Sequence, residues 1–250
     1  MLKTLDLSLQ VLELFKGEKN EWSLTEIANY LGENTTKIYR IVETLTKREF
    51  LKKNKDSKTY ELGITILELS KSSNSMFEIK TLIHPYLVYL TEQTQESSFF
   101  TILDENEALT LDSVTGTNHI NFAVSVGSTA PLYAGASYRS ILAFLPDYFI
   151  KATLSNEIKK FTSSTKTNPK DIMKDLEKIK DKGYAVSRGE LTDDIVAVAV
   201  PILINDKIIG SITVSGPSYR ITDEHIESYI NILKQTKEMI ESQSSLKRII

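Results

Sequence analysis

The sequence predicts an α+β protein in two parts: a winged helix-turn-helix, then a larger α+β domain with one largely antiparallel sheet. Two observations carry this. Residues 23–60 read as two short amphipathic helices across a glycine turn, followed by a lysine-rich hairpin. Beyond residue 96, apolar strand runs interleave with helical runs, with no internal repeat and no low-complexity tract.

In the N-terminal part, Leu5, Leu9, Leu12 and Phe15 give a first helix its expected buried face, and Lys16 to Asn20 is a loop. Ser23 and Glu26 have capping-box spacing ahead of the next helix, which Gly32 stops. In the helix after that, Ile38, Ile41, Val42 and Leu45 form one apolar stripe at i, i+3, i+4 and i+7. Thr36, Lys37, Tyr39, Arg40, Glu43 and Thr44 are left on the outside. Phe50 and Leu51 begin a strand, residues 52–58 are a polar tip, and Thr59 and Tyr60 return. The unit closes near Leu62. Ile64, Leu67 and Leu69 then mark a linker helix running into the polar stretch Lys71 to Ser75. A further helix from about Phe77 to Thr94 carries Leu82, Tyr86 and Leu90, and Pro85 implies a kink or a fresh start there.

In the C-terminal part, Ser97 to Leu103 and Ala108 to Val114 are strands across the turn Asp104 to Glu107, and His119 to Val126 is a third. Ala136 to Leu145 and Pro146 to Leu154 read as helices. Pro169 to Lys182 is an amphipathic helix ending at Gly183. Ile195 to Ile204 and Ile208 to Ser215 form a hairpin through Asn205-Asp206-Lys207, and Thr222 caps a last helix to about Ile240.

Charge narrows the function. From Lys37 to Lys58 there are eight basic residues against three acids, a local +5 inside a chain of net −3. A helix end with short polar side chains and an Arg one turn on suits a DNA major groove, and a basic hairpin suits the flanking phosphates. Thr35, Thr36, Lys37, Tyr39 and Arg40 on the helix, and Lys52, Lys53, Lys55 and Lys58 on the hairpin, are the candidate DNA-binding residues. The chain lacks the aromatic stacking surface of single-stranded RNA readers. It has no cysteine, so disulfides, thiolate nucleophiles and zinc–cysteine sites are excluded. His84, His119 and His225 lack metal-ligand spacing, and neither a metal nor a cofactor is expected. Asp6, Gln10 and Glu13 interrupt the N-terminal apolar run, which therefore reads as a helix rather than a signal segment. No run has membrane-span length, so a soluble, cytoplasmic protein is expected.

LGENTTKIYRIVETL, Tyr60-Glu61-Leu62-Gly63, Pro131-Leu132-Tyr133-Ala134, Gly183-Tyr184-Ala185, Ala199-Val200-Pro201-Ile202 and Ser215-Gly216-Pro217 with Arg220 occur in order. In these motifs the chain resembles the IclR family of bacterial transcriptional regulators along nearly its full length. It departs from the family pattern at Asn34-Thr35-Thr36-Lys37, at Leu7-Ser8 and at Tyr138-Arg139-Ser140. The resemblance implies a winged helix-turn-helix over residues 1–62, a linker helix over 63–75 and a GAF-like effector-binding and oligomerisation domain over 76–250. It implies a homodimer or a tetramer (dimer of dimers) on a palindromic double-stranded DNA operator, responding to a small organic, acidic effector. Family pocket positions fall on Ala136, Ser137, Ser187, Ala197, Thr213 and Ser215. Small residues there leave room, and N–H groups at the start of the 136–145 helix suit an anion. The same Ser and Thr residues also fit an ordinary half-buried sheet. Arg139 is readable as a partner for an effector carboxylate or as a helix-surface residue, and Glu190 as a pocket border. The rival from another class is an enzyme using Ser137 or Ser187, with the N-terminal unit as a docking module. No base stands in a recognisable catalytic motif, which disfavours it.

Overall fold

Helix α1 (Lys3–Glu13) buries Leu7 and Val11, and Phe15 follows in a short 3-10 turn. This corrects the expected face: Leu5 and Leu9 are 56% and 53% exposed. The helix is apolar on two sides, and either stripe satisfies helical periodicity; only packing against the rest of the unit selects Leu7 and Val11. The computed structural model describes residues 2–17, 19–72, 74–118 and 124–249, which fall into two units, Met1–Phe77 and Glu78–Ile250.

In the first unit, strand β1 (Trp22–Ser23) leads into α2 (Leu24–Leu31). The Ser23 N–H donates to the Glu26 carboxylate at 2.8 Å and the Ser23 hydroxyl accepts from the Glu26 N–H, closing the capping box. Gly32, at φ 63, ends α2 in the left-handed conformation that glycine tolerates best. Helix α3 (Thr35–Lys47) starts at Asn34, whose side chain accepts from the Thr36 N–H at 2.7 Å, and it buries Ile38, Ile41 and Val42. Strands β2 (Leu51–Lys53) and β3 (Thr59–Leu62) form the wing, in a three-stranded sheet of order β1-β3-β2. Gly63 closes it at a tight crossing: a Cβ there would lie 2.0 Å from the Glu49 carbonyl oxygen.

Helix α4 (Ile64–Ser72) follows, then α5 (Asn74–Thr94), within which the unit boundary falls. Pro85 does not restart α5. Ile83, Leu87 and Leu90 on either side of it are fully buried, and their packing offsets the lost backbone hydrogen bond.

The second unit holds a six-stranded sheet, antiparallel at every pairing, in the order β6-β5-β4-β9-β8-β7. Its strands are β4 (Ser97–Asp104), β5 (Glu107–Val114), β6 (Thr129–Pro131), β7 (Ala185–Arg188), β8 (Ile195–Ile204) and β9 (Lys207–Pro217). Helices α6 (Ala136–Leu142), α7 (Asp147–Ser155) and α8 (Pro169–Lys182) lie between β6 and β7 in the chain, and α9 (Asp223–Glu241) and α10 (Leu246–Ile249) end it. Most of the expected strand His119 to Val126 (residues 119–123) lies outside the described residues; 124–126 are loop and turn. The edge strands β6 and β7, three and four residues long, were not expected. Helix α6 stops at Leu142, short of the expected Leu145. Asn205 and Asp206, at φ 51 and 62, make the two-residue turn that matches the twist of the β8–β9 hairpin.

Alternation gives the sheet two unlike faces. Phe100, Ile102, Val196, Val198, Val200, Ile212 and Val214 join Leu87, Leu90, Leu233 and Ile240 of α5 and α9 in one core. Each such side chain stabilises by about 1.5–3 kcal/mol when fully buried. The intervening residues Thr101, Ala197, Ala199, Ser211, Thr213 and Ser215 are small or hydroxylic, and α6, α7 and α8 form the second core over that face. At the end of the sheet Arg220 pairs with the buried carboxylate of Glu96. A Cβ at residue 216 would lie 2.2 Å from that carboxylate, which gives the glycine of the Ser-Gly-Pro motif its physical reason.

Candidate functional site

On the first unit, the packing of Ile38, Ile41 and Val42 turns the opposite face of α3 outward. Thr35, Thr36, Lys37, Tyr39 and Arg40 are all exposed there. Lys37 is partly satisfied by Glu33, one turn back, at 2.9 Å. Arg40 makes no ion pair among the described residues, nor do Lys55 and Lys58 at the wing tip. On the wing, Lys52 faces Glu61 across the strands at 2.9 Å, and the Lys53 ammonium lies 5.4 Å from the Tyr60 ring centroid. The adjacent Tyr60 side chain holds the Lys53 ammonium above its ordinary value. The tip is ordered by Asn54, whose side chain accepts from the Asp56 N–H at 3.1 Å. A helix face with an unpaired Arg and a ribbon carrying free lysines therefore stand on one small unit. Their cations are exposed and weakly paired, as binding to phosphate requires.

On the second unit, the small-residue face of the sheet leaves a cavity of about 270 Å³ beside the start of α6. Ala136, Ser137, Ser187, Ala197 and Ser215 all line it; Thr213 is buried on the same strand but does not. Phe99, Ser125, Ser128, Tyr138, Leu191, Thr192 and Ile195 also line it and were not expected to. Phe99 and Ile195 carry a signal that alternation could have given, since Phe99 pairs with Thr213 in register across β4 and β9. The Ser137 hydroxyl donates to Thr101 at 2.9 Å, so it is already engaged. The Ser215 and Thr213 hydroxyls are fully buried with no hydrogen-bond partner among the described residues. Burial pushes the Tyr138 phenol up to about 12, so it is a neutral donor at any working pH.

Arg139 overturns both readings of it. It is fully buried, neither on the helix surface nor lining the cavity, and its guanidinium holds the Glu190 carboxylate through both terminal nitrogens. Its Nε lies 2.8 Å from Asp175, without the direction of a hydrogen bond, and Lys166 reaches the same Asp175 oxygen at 2.8 Å. Glu190 does border the cavity, and it accepts the Gly135 N–H at 3.2 Å. The anion expected at the start of α6 is thus a carboxylate of the chain itself. Thr165 fixes the Glu190 backbone by donating to its carbonyl at 2.7 Å.

The histidines stand apart. His84 pairs with the buried Asp112 at 2.7 Å, His225 completes the Thr222 cap at 2.8 Å, and His119 lies outside the described residues. Among the described residues, no helix is long and apolar enough to cross a membrane.

Comparison with known proteins agrees with this geometry. The model of the IclR helix-turn-helix domain matches residues 4–55, and that of the bacterial transcriptional regulator IclR C-terminal domain matches residues 72–242. The HTH-type transcriptional regulator KipR of Bacillus subtilis is 29% identical over 226 residues, 90% of each chain. The crystal structure of Thermotoga maritima IclR is 30% identical with a TM-score of 0.83, covering 99% of this chain and 100% of that one. An IclR homologue from Microbacterium hydrocarbonoxydans has the same fold at 19% identity, with a TM-score of 0.87 over 99% of this chain and all of its own. With both halves of the sequence matched, the chain belongs to the IclR family of bacterial transcriptional regulators.

Proposed function

We propose that this regulator binds a palindromic DNA operator as a homodimer, itself able to pair into a tetramer, and that a small organic effector in the 270 Å³ cavity alters its DNA affinity. The observation that carries the reading is the winged unit itself: an outward α3 face with Arg40, beside a wing with Lys55 and Lys58, none of them ion-paired among the described residues. In this reading Thr35, Thr36, Lys37, Tyr39 and Arg40 enter the major groove, and Lys52, Lys53, Lys55 and Lys58 hold phosphates.

Exposed apolar residues support the dimer. Leu2, Leu5 and Leu9 lie on one side of α1, and Ile64 and Leu67 stand on α4. A second copy covering them would fix the spacing of two recognition helices, which half-site readout requires to be one helical turn or a multiple. The residues 63–75 then act as the linker between the DNA-binding part, 1–62, and the effector part, 76–250. For the cavity, the support is five of the six family pocket positions converging on one small, hydroxyl-lined space. The Microbacterium hydrocarbonoxydans homologue was crystallised with 4-hydroxybenzoate, so a relative of this fold takes a small aromatic molecule. A regulator returns its effector unchanged, and the Ser137 hydroxyl is spent on Thr101 while the Glu190 carboxylate is spent on Arg139; this favours binding over turnover.

Linkage supplies the test. A compound that stabilises the protein in a thermal screen should change DNA affinity, and DNA should change the affinity for that compound by the same factor, typically about 5–150-fold. A ligand that binds tightly and leaves DNA affinity untouched would reject the proposal.

A further inference from the structure

We infer that the cavity selects an uncharged, hydrogen-bonding ligand over its carboxylate analogue, and that Glu190 sets this selection by occupying the place where an acid would bind. The inference rests on the reading of the cavity as the effector site. One wall residue, Glu190, joins a cluster of four charges that stands behind the wall with Arg139, Lys166 and Asp175. They are two positive and two negative, mutually paired, and no net cation remains. Among the described residues lining the cavity, Glu190 is the one charged side chain. It is 5% exposed and takes Arg139 through both oxygens and the Gly135 N–H through one.

A ligand carboxylate entering here meets a like charge and finds no free cation among the described lining residues. Burying an ionised group without a partner is costly, so the acid is disfavoured. The remaining polar groups are hydroxyls. Ser215 is buried with no hydrogen-bond partner among the described residues, and Ser125, Ser187 and Thr192 share the wall. Phe99, Leu191 and Ile195 supply an apolar side. The matching chemistry is a small neutral molecule with amide, carbonyl or hydroxyl groups on one edge.

The test uses the full chain and matched probe pairs: benzamide against benzoate, 4-hydroxybenzamide against 4-hydroxybenzoate, and lactamide against lactate, titrated by calorimetry at neutral pH. The wild type should bind the amide of at least one pair tighter than its acid by about tenfold or more, roughly 1.4 kcal/mol. Glu190→Gln removes the charge but keeps an acceptor for Gly135, leaves Arg139 in excess, and should reverse that preference. An acid binding the wild type as tightly as its amide would overturn the inference and leave the cavity as an effector site. An amide preference equal in wild type and Glu190→Gln would remove Glu190 as its cause. Binding of no probe to either protein would overturn both this inference and the effector reading. If Glu190→Gln does not fold, the wild-type comparison alone still decides the selectivity.

Discussion

Replacing Arg139 with Met strips a buried carboxylate of its partner. Arg139 is fully buried, and Glu190, at 5% exposure, would keep only the Gly135 N–H and a distant Lys166 at 3.9 Å. Removing one side of a buried ion pair costs roughly 3–5 kcal/mol, because the remaining charge cannot be hydrated. In a chain of this size that lowers the melting temperature of the affected unit by about 6–20 °C. Asp175 behaves differently: it is 23% exposed, so Asp175→Asn should cost only about 1 kcal/mol. Calorimetric unfolding of full-length variants separates the cases, and only the transition of the 78–250 unit should move. The double variant Arg139→Met with Glu190→Gln should recover most of the loss, since no unpaired charge is left behind. A single variant within about 1 kcal/mol of wild type, or a double variant no better than the single, would show that Arg139 does not offset a buried Glu190 charge.

The wing provides a second expectation: Ala at Lys52, Lys53 and Lys55 together should weaken binding to all duplex sequences and reduce the salt slope by roughly one for each phosphate no longer neutralised. Equal affinity at every salt concentration would remove the wing from the interface. Ala197→Leu projects into the cavity and should abolish ligand-induced stabilisation while leaving DNA affinity unchanged; an undiminished ligand shift would relocate the site. The Glu26 carboxyl is held down at about 2 by its hydrogen bond to Lys19 and then by the Ser23 N–H. A depressed folded value means this stabilisation of α2 is complete above the ordinary 4.5 and is lost as pH falls from there through about 2. An NMR titration should place the Glu26 midpoint near 2, and a midpoint at 4.5 would show that the capping box is open in solution.

Local signals located the elements that they govern. Ser23 and Gly32 bounded α2, Pro169 and Gly183 bounded α8, and Asn205-Asp206 placed the β8–β9 turn, each through backbone chemistry of a few neighbouring residues. The α1 face was not legible, because leucines on two sides give two equally good stripes and only tertiary packing chooses. The edge strands β6 and β7 were missed for want of length; Thr129–Pro131 offers no alternation to read. In the cavity, the Ala and Ser positions of β8 and β9 could be read as room beside the sheet. The role of Arg139 could not, since its partners lie 36 and 51 positions away and its own neighbours in sequence fit a surface helix equally well.

In the proposed function, α3 and the wing of two copies read DNA as a symmetric pair. In vitro selection from random duplex DNA with the full-length protein tests it directly, run in parallel with Arg40→Ala. The wild type should enrich a palindrome whose half-sites are centred one helical turn, about 10–10.5 base pairs, or a multiple of it apart. Arg40→Ala should lose discrimination at a base position of each half-site, by roughly 1–3 kcal/mol if Arg40 reads a base. No enriched motif for the wild type, or one lacking two-fold symmetry, would contradict the proposed function.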